Sequence, residues 1–176
     1  MEEAQELVDA FFLKLNCFYS GAPILIKDTV GVGNTYQNVT ISGMDADGND
    51  ATNPVSFMVF ETIGRLKLHD PTVIFRTSPN TPKEIWDCAV ATSQLVGGLP
   101  LYYNDEIVIP ALLKEGYELK DARNYGCIGC QEIVGCGNDY PAPNGLYPPH
   151  ATIWWGSILN MAINDGRNPF NGVQSS

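Results

Sequence analysis

Twice in the first half of the chain a helix-capping residue stands directly before a proline, at Asn53-Pro54 and at Thr81-Pro82. A capping side chain accepts hydrogen bonds from amides that the first helical turn leaves unpaired. A first-turn proline has the helical φ built in and no amide to lose. Each pair therefore predicts a helix start, the first helix running to about Leu68 and the second ending at Gly97-Gly98. Around these helices the pattern changes. Thr72-Val73-Ile74-Phe75-Arg76 predicts a buried strand, Val39-Thr40-Ile41 a short β-prone run, and Leu99 to Tyr103 a further strand. Strands separated by whole helices cannot pair as tight hairpins, so this order calls for an α/β fold with largely parallel strands.

The remaining segments fit the same plan. Residues 2–18 predict an opening helix with Leu7, Phe11, Leu15 and Phe18 on one stripe and acids in its first turn. Glycines and a proline over 21–33 mark a loop. Beyond Tyr103 the sequence predicts a short helix around Pro110–Glu115, a helical turn at Leu119–Arg123 and a strand over Tyr125–Gly129. A Gly/Pro-rich loop over 133–149 and a helix from about 151 to 165 follow. The acidic loop Asp45-Ala46-Asp47-Gly48-Asn49-Asp50 is no EF-hand, because its glycine is fourth and its twelfth position is Ser56. Its carboxylates are expected to bind backbone amides, and Asn104-Asp105-Glu106 to make a capping turn between strand and helix.

At 176 residues the chain can form one domain with a substantial core. A net charge of −10 without a basic stripe argues against a nucleic-acid partner. No apolar run reaches the length of a membrane span, and residues 1–20 lack the basic start and cleavage site of a signal peptide, so a cytoplasmic location is expected.

The chemistry concentrates in Tyr125-Gly126-Cys127-Ile128-Gly129-Cys130-Gln131-Glu132. Three of the five cysteines, Cys127, Cys130 and Cys136, fall within ten residues. A metal or cluster site would lack its fourth ligand at any usual spacing, His150 being fourteen residues past Cys136. Gly126, Gly129 and Gly135 disfavour the helix that a redox-active Cys-x-x-Cys pair would need. Cys127 and Cys136 are read as small packing residues. If the segment is extended, Cys130 and Glu132 share one face, a thiol beside a carboxyl.

Tyr36-Gln37-Asn38-Val39-Thr40-Ile41-Ser42-Gly43, the acidic loop, Tyr103-Asn104-Asp105-Glu106 leading into Ile109-Pro110-Ala111, Gly129-Cys130-Gln131-Glu132 and Asn164-Asp165-Gly166-Arg167-Asn168-Pro169 follow one another in an order that resembles the glycyl radical enzymes of the pyruvate formate-lyase-like superfamily. Within it the chain is most similar to the Gly-Cys-x-Glu branch of dehydratases, C–N and C–S lyases and arylacetate decarboxylases. The resemblance implies a segment of a ten-stranded α/β barrel, with 1–176 as a partial barrel domain. It implies Cys130 as the thiyl radical site and Glu132 as its acid–base partner, a carboxyl held off water being suited to exchange protons with a substrate hydroxyl or amine. Tyr36 and Asn144, the latter in the Asp139–Asn144 loop, are implied as substrate-facing residues.

The implied activity is that of a lyase or dehydratase cleaving C–O or C–N bonds of a small substrate, with a decarboxylase or other C–C lyase as the alternative. A cysteine-cluster metal-binding module and a non-catalytic remnant are the rivals from other classes. No bound cofactor and no metal are implied. The glycyl radical would be installed elsewhere in the full enzyme by an S-adenosylmethionine radical activase, because none of Arg65, Arg76, Arg123 and Arg167 opens the family's Arg-Val-x-Gly-Tyr motif. The implied partners are a small-molecule substrate, that activase and the remainder of the enzyme chain, in a homodimer when complete. Two departures narrow the activity. Cys130-Gln131 replaces the paired cysteines of formate acetyltransferases, and Ile133-Val134-Gly135 replaces a proline common in diol dehydratases.

Overall fold

The computed structural model describes residues 2–16, 37–68, 70–129, 131–137 and 155–167. The chain divides into two units, residues 1–145 and 146–176. In the first, α1 (Glu2–Asn16) precedes the run β1 (Asn38–Ser42), α2 (Pro54–Leu66), β2 (Thr72–Thr77), α3 (Lys83–Val96) and β3 (Leu101–Asn104). Then come α4 (Asp105–Lys114), α5 (Leu119–Arg123) and a hairpin of β4 (Tyr125–Ile128) and β5 (Glu132–Gly135). The second unit holds α6 (Trp155–Ile163).

Strands β1, β2 and β3 form one parallel sheet in that spatial order, with Ser42 opposite Arg76 and Arg76 opposite Tyr103. Every residue of the central strand β2 is buried. Because side chains alternate across a sheet, β2 divides its residues between two environments. Val73 and Phe75 enter a core with Ile41, Val59, Phe60, Ile63, Ile85 and Phe12. The Phe75 ring meets Phe60, Trp86 and Tyr102 edge-on, with centroids 5.3, 5.4 and 5.8 Å away. Arg76 belongs to the other set, beside the smaller core of Val108, Ile109, Leu112, Ala122 and Tyr125.

The first proline-marked helix starts as the sequence predicts: Asn53 and Ser56 make a reciprocal capping box and Pro54 is in the first turn. At the second, Pro82 itself occupies the cap position and Thr81 instead accepts from the Ser78 amide through its hydroxyl at 2.8 Å. The stripe expected on α1 is displaced. Phe12 is buried, whereas Leu7 and Phe11 are 67 and 52% exposed. Polar pairing sets this rotation, because Gln5 donates to Thr62 Oγ1 at 2.8 Å and to the Met58 carbonyl at 3.1 Å. Asp9 accepts from Thr62 at 2.7 Å and pairs with Arg65. Helix α4 begins five residues before the predicted Pro110, because Asn104 caps it by accepting from the Glu106 amide. Pro110 lies inside it. The predicted loop from 133 also begins as a strand, since β5 pairs antiparallel with β4.

The acidic loop binds amides as expected: the Asp45 carboxylate accepts from Asp47 and Asn49, and Asp50 from Thr52.

One buried ion pair joins these parts. Arg76 donates to Asp105 through Nε at 3.0 Å and Nη2 at 2.9 Å, while the Met44 amide and the Tyr125 hydroxyl complete the carboxylate at 2.8 Å each. Truncating one partner of such a pair strands the other charge without water. We expect Asp105→Ala to lower unfolding free energy by about 3–5 kcal/mol, read by urea denaturation.

Candidate active site

The hairpin that carries Gly129 and Glu132 lies over the sheet on the side away from α2 and α3. Side chains Asn38 and Tyr103 reach it from β1 and β3, and Arg76 from β2. Strand β4 is fixed at its start. The Arg76 guanidinium sits 3.9 Å from the Tyr125 ring centroid and donates to the Tyr125 carbonyl at 3.1 Å and the Arg123 carbonyl at 2.8 Å. Gly43 makes room for this: a Cβ there would come within 2.6 Å of Arg76 Nε, and its φ of +83° is left-handed.

Ile128 pairs with Glu132, and the Gln131 amide donates to the Ile128 carbonyl at 2.9 Å, closing a tight turn. Gly129 and Gln131 both adopt left-handed backbone, at φ +53° and +76°. For Gln131 that conformation costs roughly 1–2 kcal/mol. The extended backbone expected through this segment is interrupted at Gly129 and Gln131, on either side of residue 130. Cys130, Tyr36 and Asn144 lie outside the described residues.

Glu132 is partly buried at the start of β5, and its Oε2 is fully shielded without a hydrogen-bond partner among the described residues. A Cβ on Gly129 would come within 2.7 Å of that oxygen, so only glycine leaves the carboxyl its place. Two residues that sequence reasoning did not single out hold the turn. Asn38 Nδ2 donates to the Gly129 carbonyl at 3.1 Å, and the Tyr103 hydroxyl donates to the Gln131 carbonyl at 2.8 Å. Both belong to sequence stretches already marked, Tyr36-Gln37-Asn38 and Tyr103-Asn104-Asp105, but the contacts span 91 and 28 residues. Their partners could not be read from spacing.

The cysteines separate. Cys127 is buried and Cys136 exposed, so the packing role expected of both fits only Cys127. Burial first, with the charges of Cys136 and Glu132 adding to it, pushes the Cys127 thiol up to about 11 despite its bond to Tyr103. The Tyr103 phenol is likewise raised above its ordinary value, first by burial and then by Cys127 and Glu132. It stays protonated and a donor at neutral pH.

Parallel strands linked by helices, with the hairpin of Gly129 and Glu132 held against them, set the architecture to compare with known proteins. The family model described as pyruvate formate lyase-like matches residues 1–176, and the chain belongs to this family of glycyl radical enzymes. It is 30% identical to (2S)-3-sulfopropanediol dehydratase of Klebsiella oxytoca over 98% of its own length and 20% of that protein's. It is 28% identical to trans-4-hydroxy-L-proline dehydratase of Clostridioides difficile over 98% of its length and 21% of that protein's. The glycerol-bound form of the B12-independent glycerol dehydratase from Clostridium butyricum superposes with a TM-score of 0.69 at 34% identity, covering 96% of this chain and 21% of that one. The chain thus spans about a fifth of the relatives it matches. Its α/β fold is a segment of their barrel. Among the described residues no helix is long and apolar enough to cross a membrane.

Alkylation needs the thiolate. We expect Cys127 to be modified far more slowly than Cys136 at pH 8, its rate climbing until the pH reaches about 11. The same proton sets a stability trend. The native thiol holds its proton above the ordinary value of 9.0, so its contribution is complete below pH 9 and declines as pH rises toward about 11. Mass-spectrometric mapping and thermal unfolding across that range check both.

Proposed function

We propose that this chain is the catalytic-cysteine portion of an anaerobic, cytoplasmic glycyl radical lyase or dehydratase. It would work with the remainder of the enzyme, a homodimer when complete, and with a radical activase that uses S-adenosylmethionine. The observation that carries this reading is the carboxyl oxygen Glu132 Oε2, shielded from water, unpaired among the described residues, and two residues after Cys130 in sequence. A buried acceptor without a partner is costly in a native protein unless a ligand or a proton completes it. A substrate hydroxyl or ammonium group would do so.

In this mechanism the Cys130 thiyl takes a hydrogen atom from a substrate C–H bond, giving back a thiol and leaving a carbon radical. Glu132 exchanges a proton with the neighbouring hydroxyl or amine as the C–O or C–N bond opens, and the leaving group departs as water or amine. The thiol then returns its hydrogen atom to the product radical. Only a dry site lets such a radical survive long enough. The turn around Gly129 favours that, because the carboxyl is packed against backbone on one side. Tyr36 and Asn144 are proposed to face the substrate. The relatives with dehydratase activity support C–O cleavage ahead of decarboxylation.

The complete enzyme, activated without oxygen, provides the test. Cys130→Ala should remove turnover of small diols, hydroxylated amino acids and amino alcohols while the glycyl radical still forms by electron paramagnetic resonance. Glu132→Gln should lower kcat by roughly 10²–10⁴, the usual contribution of a positioned acid–base group. Cys127→Ala and Cys136→Ala should keep activity. An essential Cys127 with a dispensable Cys130 would sink this reading, and release of carbon dioxide from an arylacetate would move it to the decarboxylase.

A further inference from the structure

We propose that Asn38 and Tyr103 are positioning residues, a two-point clamp on the backbone carbonyls either side of residue 130. The inference rests on the reading of Cys130 as the reacting thiol and adds the residues that hold its two chain neighbours. Neither clamp comes from the hairpin itself. Asn38 opens β1 and Tyr103 lies in β3, the two outer strands of the parallel sheet. Their donors end on the carbonyls of Gly129, at 3.1 Å, and Gln131, at 2.8 Å. Those two residues are the left-handed ones, so the clamp acts where the backbone is least favourable by itself.

Each clamping side chain is in turn constrained. Tyr103 pairs with the buried Cys127 as well as with the Gln131 carbonyl. Asn38 donates an amide hydrogen to the Gly129 carbonyl, and its Oδ1, like Glu132 Oε2, is buried without a partner among the described residues. Asn38 bonds the carbonyl of Gly129 and Glu132 packs against its Cα. Displacing Gly129 would therefore move the carboxyl together with the turn. A thiol that must meet a substrate hydrogen at close range depends on this kind of fixation, since small misplacements are costly in rate.

The test reads the turn directly and needs no turnover. The chain, reduced and kept without oxygen, is treated with iodoacetamide, and the modification rate of each cysteine is followed by peptide mass spectrometry. Tyr103→Phe removes one hydroxyl and Asn38→Ala one amide. Each should change the Cys130 rate by about fivefold, the factor set by one net hydrogen bond. The rate at Cys88, which packs against the main core, and at Cys136 should stay as in the parent chain. Tyr102→Phe, whose hydroxyl bonds Ser93 instead, should leave the Cys130 rate unchanged. An unchanged Cys130 rate in Tyr103→Phe overturns the clamp, and so does a parallel rise at Cys88, which would mean general loosening. Should Tyr103→Phe not fold, Asn38→Ala decides by the same criteria. Full turnover in Cys130→Ala would remove the catalytic reading of that residue and leave the alkylation result intact, so the two failures are distinct.

Discussion

The Arg76–Asp105 pair holds this part of the molecule together. It is buried, with the two side chains 6 and 0% exposed, and its geometry is the two-pronged one that suits a guanidinium against a carboxylate. Burying two charges costs several kcal/mol each, and attraction offsets that only when the remaining polar atoms are satisfied. Here they are largely satisfied by backbone and by Tyr125: Met44 supplies an amide, Tyr125 a hydroxyl and a carbonyl, Arg123 a carbonyl. The pair therefore ties β2, the start of α4, the loop after β1, the end of α5 and the start of β4 at one point.

That knot explains how the hairpin of β4 and β5 can be held against the sheet. Strand β4 is pinned at Tyr125, and the turn three residues further on is held by Asn38 and Tyr103. The Tyr125 phenol, raised above its ordinary value by burial first and then by Asp105, remains a donor to that carboxylate and does not add a second negative charge. The chain of contacts from Arg76 to Gly129 uses backbone carbonyls as acceptors. Their positions are fixed by the sheet and hairpin and not by flexible side chains.

The first helix carries a related lesson. Its apolar residues Leu7, Val8, Phe11, Phe12 and Leu15 allow more than one stripe to face inward. A hydrogen bond from Gln5 to Thr62 of α2, and one that Asp9 accepts from the same hydroxyl, select the face with Val8 and Phe12. Leu7 and Phe11 instead border a groove of about 530 Å³ that also touches Val39, Ile41 and Val55 along the outer strand β1. A periodicity argument weighs only apolar residues, and the polar pairing turned the helix by about one position.

The sequence by itself determined the order of elements. Caps, prolines and β-branched runs act over a few residues, and Asn53-Pro54, Asn104 and the Thr72–Arg76 run each do locally what their chemistry demands. It also determined the family, because an ordered set of short motifs survives without any geometry. Tertiary structure decided what those local rules cannot reach: that Arg76 meets Asp105 twenty-nine residues later, that Asn38 reaches Gly129, and that Gly129 and Gln131 are left-handed where extension was expected. The physical reason is common to all three. Each depends on which buried polar groups find partners across long loops, and that satisfaction exists only once the strands have been brought side by side.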